Sequence, residues 1–172
     1  MALLQIITAP DSRLREVSQP VDAVDDTVRE LLDDMLETMY AAPGVGLSAV
    51  QVGFAQRIVV IDTAKGLDPA DPVRMINPEI IWQADEIGPF EEGCLSFPDQ
   101  YEEVERPGAV HVRYTDENGE IRTIKAEGLQ AIALQHELDH LDGVLLVDHL
   151  STIKRSIIMR RMKKLRRLQA AE

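Results

Sequence analysis

Between residues 26 and 41 apolar side chains recur at Val28, Leu31, Leu32, Met35, Leu36, Met39 and Tyr40, with Arg29, Glu30, Asp33, Asp34 and Glu37 opposite them. Steps of three and four predict an amphipathic helix over 26–41. Asp25 is its expected cap, with Thr27 and Glu30 as an alternative capping box. Pro43 ends the pattern, and residues 57–62 then form a short β-branched run suited to a buried strand. Residues 63–72, with Gly66, Pro69 and Pro72, predict a surface loop. Two strand pieces follow at 73–77 and 79–83, broken at Pro78. Residues 110–114 alternate, 116–119 carry turn residues and 121–126 return, which is the signature of a hairpin.

The stretch 128–141 differs from these. Leu129, Ile132 and Ala133 share one side with His136 and His140, while Ala131, Leu134, Leu138 and Leu141 line a second. A helix apolar around most of its circumference is central and buried. Gly143 stops it, and residues 144–147 are expected as a short strand. Ser151 caps a last helix over 152–168, with Ile153, Ile157, Ile158, Met162, Leu165 and Leu168 as its apolar stripe. Residues 1–24 are expected to be extended and loop-like, with a turn at Pro10-Asp11.

Composition narrows the class. A chain of 172 residues, 45% hydrophobic and 28% charged, is expected to form one globular domain over 1–172. No apolar run is long enough to span a membrane. The start, Met1 to Gln5, has neither a secretory nor a transit character, so a cytoplasmic protein is expected, with neither membrane nor DNA as partner. One cysteine excludes an intramolecular disulfide. The net charge of −12 is uneven: residues 151–172 carry eight Lys or Arg against one acid, a net +7, leaving −19 for residues 1–150. A basic tail on an acidic body points to a polyanion as the tail's partner.

Chemistry concentrates in Gln135-His136-Glu137-Leu138-Asp139-His140. Histidines four apart on a helix project side by side and can hold one divalent metal, and a glutamate after the first is placed as a general base. Two imidazoles need a third ligand. Cys94, in the extended or turning segment 90–98, offers a thiolate. Gly44 and Gly46 let the backbone turn or approach a ligand, and Gln51 can donate a hydrogen bond into a site. His111, alternating with valines, is expected on a strand face, and nothing in the spacing of His149 favours it as a ligand.

Gly44-Val-Gly-Leu-Ser-Ala-Val-Gln51, Glu92-Gly-Cys-Leu-Ser96 and Gln135-His-Glu-Leu-Asp-His140 resemble, in order and separation, the three motifs of bacterial peptide deformylases, and the similarity covers essentially the whole chain. The resemblance implies an α+β fold, antiparallel strands packed around a central metal-binding helix, with the C-terminal amphipathic helix as tail. It implies hydrolytic removal of the formyl group from formyl-methionine on nascent peptides. Carried across, Cys94, His136 and His140 bind one divalent metal, typically Fe2+, with Zn2+, Ni2+ or Co2+ able to substitute. Glu137 is the general acid/base, and Gln51 and Leu95 stabilise the oxyanion. The basic helix docks on the ribosome. Ser48 stands where the first motif usually has alanine, and Tyr101 where relatives often carry arginine.

Three protein ligands leave room for water, the mark of a catalytic site. Val45, Leu129, Ile132 and Ala133 are the expected methionine pocket, with Gly46 and Glu92 expected to bind substrate beside it, and Glu92 with Arg106 also the expected pair behind the ligands. The rivals are a small metallopeptidase acting on unblocked chains, and a ribosome-binding module whose metal is closed off by a fourth ligand such as His111 or His149.

Overall fold

The computed structural model describes residues 2–64 and 69–171. Helix α1 spans Asp26–Ala41, and the Asp25 carboxylate accepts from the Val28 N–H at 2.9 Å, so the simple cap prevails over the capping box. Val28, Leu32, Met35, Leu36 and Met39 are buried on its inner face. Tyr40 leaves the expected stripe: its ring is exposed, and its hydroxyl donates to Asp62 at 2.5 Å.

Five strands form one antiparallel sheet. They are β1 (Gly46–Ser48), β2 (Ile58–Ile61), β3 (Val73–Gln83), β6 (Ala109–Thr115) and β7 (Ile121–Glu127), in spatial order β1-β2-β3-β6-β7. The two expected pieces at 73–83 are one strand. Its register slips between Ile76 and Glu79, where Asn77 takes a positive φ of 52° and its side chain exchanges two hydrogen bonds with the Val21 backbone. Pro78 has no N–H to give the ladder, so the irregularity stands where the sequence suggested a break. The expected loop over 63–72 falls partly on residues 65–68, outside the described residues.

Strands β4 (Ile87–Cys94) and β5 (Phe97–Pro107) make a separate antiparallel ribbon that ends at Cys94. Helix α2 (Gly128–Leu141) packs Ala131, Leu134, Leu138 and Leu141 against Val59, Ile61, Met75, Val110 and Val112 of the sheet. Gly143, at φ 74°, ends α2 where a Cβ would stand 2.6 Å from the Arg15 carbonyl oxygen, so only glycine fits.

The strand expected over 144–147 does not form. Leu146–His149 is a 3-10 turn, because the Asp148 carboxylate accepts from the Leu145 N–H at 2.8 Å and from Arg15 Nη1 and Nη2 at 2.5 and 3.0 Å. Local capping satisfies the backbone that a strand would leave to a neighbour. A second short 3-10 turn, Ser12–Arg15, interrupts the extended N-terminal segment and delivers that arginine.

Helix α3 spans Thr152–Ala170, with the Ser151 hydroxyl accepting from the Lys154 N–H. Its apolar stripe is narrower than expected: Ile158 and Met162 are buried and Met159 and Leu165 pack beside them, while Ile153, Ile157 and Leu168 are exposed. The helix thus covers the ribbon and the N-terminal segment, sharing a cluster with Ile7, Leu14, Phe97 and Val104. No helix among the described residues is long and apolar enough to cross a membrane.

Candidate metal centre

Helix α2 has a second face, turned away from the sheet. His136 and His140 lie on it one turn apart, their Nε2 atoms 3.2 Å from each other. The last residue of β4 completes the group: Cys94 Sγ is 3.3 Å from His140 Nε2, and all three ligand atoms lie within 4.8 Å of one another. Burial and the neighbouring His136 hold His140 well below the usual histidine range, hence neutral and able to donate a lone pair.

His136 is oriented from behind. Its Nδ1 is 3.0 Å from Glu92 Oε1, which assigns the proton to Nδ1 and leaves Nε2 facing Cys94 and His140. Glu92 is in turn gripped by Arg106 Nε and Nη2, at 2.5 and 3.0 Å, both side chains being buried. Burial works against the Glu92 charge, but His136 and Arg106 outweigh it and hold the carboxyl below its ordinary range. Arg106 also reaches Asp139 at 3.0 Å, and Asp139 accepts from His149 at 2.8 Å.

Neither spare histidine closes the site: His149 is engaged by Asp139, and His111 lies on β6 against the Trp82 ring, with centroids 4.4 Å apart. Among the described residues, Cys94, His136 and His140 form a three-donor set of one sulfur and two nitrogens, which suits zinc, iron or nickel. These residues therefore fit a divalent metal with a coordination position to spare.

Glu137 stands beside them, 5% exposed, with Oε2 buried and without a partner. Burial pushes its carboxyl up to about 7. Strand β1 runs so close that a Cβ on Gly46 would come within 2.9 Å of the Glu137 side chain. The carboxyl faces a cavity of about 500 Å³, lined by Val45, Gly46, Glu92, Cys94, Leu95, Leu129, Ile132, Ala133 and His136 among others. Val45 and Leu129 are half-exposed at its rim; Ile132 and Ala133 are buried.

Besides His140, Gln51 is the one expected site residue that does not line the cavity. Its oxygen accepts from the Ser48 N–H and hydroxyl, both at 3.0 Å, which fixes the amide so that Nε2 points to Ser96 Oγ at 3.0 Å and Cys94 Sγ at 3.7 Å. Ser48, a departure from the motif, thus finds its buried partner in Gln51. Sequence reasoning missed Ser96 and Asp139, although both lie within the quoted motifs, and it missed the pairing of β4 with β5. No apolar alternation marks the ribbon in the sequence: over 99–106 only Tyr101 and Val104 are apolar, and they fall on opposite faces.

The profile of the polypeptide deformylase family matches residues 3–156. A peptide deformylase of Methylocella silvestris is 52% identical over 175 aligned positions, covering 100% of this chain and 89% of that protein. One from Phenylobacterium zucineum is 51% identical over 164 positions, covering 95% and 97%. The crystal structure of peptide deformylase from Ehrlichia chaffeensis matches with a TM-score of 0.93 at 40% identity, covering 98% of this chain and 99% of that one. A second structure of that enzyme, in complex with actinonin, matches with a TM-score of 0.91 at 42% identity, covering 95% and 98%. Kinship in sequence extends through all three donors and the carboxyl beside them, and kinship in fold through the elements that carry them; the chain belongs to the polypeptide deformylase family.

Proposed function

We infer that this chain hydrolyses the formyl amide of N-terminal formyl-methionine on nascent polypeptides. The observation that carries this reading is the convergence of Cys94, His136 and His140 beside a buried, unpaired Glu137 carboxyl at the floor of an apolar cavity. The whole of 1–172 serves as one catalytic unit with 151–172 as its tail. Cys94, His136 and His140 hold the metal, which when bound supplies Lewis-acid activation of water and of the formyl oxygen. Ferrous iron is the proposed native ion, as the family resemblance implies, with zinc, nickel or cobalt able to replace it.

Glu137 receives the proton of the attacking water and returns it to the departing amine, acting as base and then as acid. A carboxyl whose burial has raised it to about 7 is suited to both steps near neutral pH. The oxygen of the formyl carbonyl gains negative charge, met by the Leu95 backbone N–H and by Gln51 Nε2, which keeps one N–H on Ser96 and offers the other on the Cys94 side. Val45, Leu129, Ile132 and Ala133 receive the methionine side chain, with Gly46 keeping the wall thin enough for the peptide to reach Glu137. Glu92 orients His136 for its ligand role.

Formate is the smallest acyl group, so an acetyl methyl clashes where formyl hydrogen fits. Release of acid from formyl-Met-Ala, acetyl-Met-Ala and an unblocked tripeptide tests the assignment; the formyl dipeptide alone should turn over, and equal rates on all three would refute it. Glu137→Gln should lower kcat by about 10²- to 10⁴-fold while elemental analysis finds the metal retained, whereas a purely structural metal predicts no hydrolysis to lose. We further propose that α3 binds the ribosome, which the eight cations of 151–172 support, and that the protein works in the cytoplasm, where such nascent chains emerge.

A further inference from the structure

The ribbon of β4 and β5 has two unlike faces. Even-numbered positions turn inward: Glu92 and Arg106 stand behind the metal centre, Glu102 takes Lys154 of α3 at 3.4 Å, and Gln100 takes Arg161 at 3.1 Å. Over 87–93 of β4 and 99–105 of β5 the odd-numbered positions face solvent, as the two-residue period of a strand requires. There Glu91 on β4 and Asp99, Tyr101, Glu103 and Glu105 on β5 are exposed. Glu91 and Glu103 are direct cross-strand partners, and Glu105 lies one rung further on, opposite Pro89.

Like charges placed opposite each other destabilise a ribbon. Among the described residues none of these four carboxylates has a cation within ion-pair distance; the cations of α3 that reach the ribbon go to its other face. The strip also begins at the catalytic cavity. Glu91, Asp99 and Tyr101 line its mouth, no Lys or Arg among the described residues lines it, and the buried, partnerless Glu137 Oε2 lies at its floor. From the Gly93–Tyr101 rung to the Pro89–Glu105 rung is four residues, about 13 Å, a length that about four residues of extended peptide span.

We propose that the solvent face of the β4–β5 ribbon is a docking strip for a cationic segment of the peptide substrate, at about the fourth to seventh residues when the formyl-methionine is counted as the first. This rests on the deformylase reading, because that reading places the peptide's first residue in the cavity. A lysine or arginine over Glu91, Glu103 and Glu105 relieves their mutual repulsion, and a glutamate adds to it. The attraction is exposed to solvent, so it acts on encounter and KM and is screened by salt.

The test compares formyl-Met-Ala-Ser-Lys-Ser-Lys-Ser with the same peptide carrying Glu for Lys, by formate release from the metal-loaded enzyme. At low ionic strength kcat/KM should favour the lysine peptide by about tenfold, through KM, and the ratio should fall to about twofold or less in about 0.5 M salt. Glu103→Gln with Glu105→Gln should collapse that ratio, whereas Asp22→Asn with Glu30→Gln, two exposed acids on the α1 side, should not. Equal kcat/KM for the two peptides in the wild type would overturn the proposal, and this needs no variant to fold. Equal loss in both double variants would overturn it too, since overall charge would then suffice. Failure of the wild type to release formate from formyl-Met-Ala would instead sink the underlying deformylase reading.

Discussion

At the scale of single residues, the centre is governed by what stands behind its donors. Glu92 is shared between the ring of His136 and the guanidinium of Arg106, so one carboxylate both sets a tautomer and neutralises a buried cation. Glu92→Gln keeps the shape and an acceptor for His136 but leaves Arg106 with Asp139 alone. Breaking a buried pair in this way costs about 3–5 kcal/mol, and loosening the ring behind a ligand costs about 10- to 100-fold in metal affinity. Thermal unfolding and competition with a chelator measure the two separately. Adding Arg106→Met should restore much of the stability, by removing the orphaned cation, but not the metal affinity. That split is the expected mark of an orienting role. Glu92 with Arg106 was legible in the sequence as a pair; that Asp139 and His149 extend it was not, because four residues from four different segments meet only when the ribbon folds onto α2.

At the scale of elements, periodicity was informative wherever one face met a core. Helix α1, the β6–β7 hairpin and both faces of α2 stand where the apolar spacing put them. It failed where local polar bonds decide, as in Leu146–His149, whose four-residue apolar approach looks like a strand but is wound by Asp148. Asp148 also ties the N-terminal segment to the start of α3 through Arg15 and Arg155. Burial tends to raise its carboxyl, but Arg15, the Leu145 N–H and Arg155 prevail and hold it below the ordinary 3.8. A depressed carboxyl contributes stability that is present above its unfolded value and lost as pH falls through the folded one. Asp148→Asn should therefore lower the melting temperature by about 2–4 °C at neutral pH, corresponding to about 1 kcal/mol for a partly solvated pair. The difference from wild type should shrink as pH falls below the ordinary carboxylate range and vanish once it has passed the depressed value of Asp148. A deficit that persists in acid would mean that packing, not the charge, is what Asp148 supplies.

At the scale of the whole molecule, charge is segregated: −19 on residues 1–150 and +7 on 151–172. Helix α3 is not a detachable tail, because Ile158 and Met162 are buried in the same cluster as Leu14 and Phe97. Deleting 151–172 would open that cluster as well as remove the cations. The cleaner test of ribosome binding reverses Lys163, Lys164, Arg166 and Arg167 to Glu, all exposed beyond the buried stretch. Cosedimentation with ribosomes should weaken by at least about 10-fold and lose most of its salt dependence, while turnover of formyl-Met-Ala holds. Unchanged cosedimentation would remove the ribosome from the account of α3.

The chain alone determined which chemistry is available and which helices and strands bury a face, because ligand spacing on a helix and apolar periodicity are properties of neighbours in sequence. Tertiary structure alone decided that a sulfur 46 residues from His140 comes within 3.3 Å of it, that Gln51 is held by Ser48 and turned toward Ser96, and that β1 passes close enough to Glu137 to admit only glycine at Gly46. Those are distances between segments, set by how the ribbon, the sheet and α2 pack together, and no local pattern encodes them.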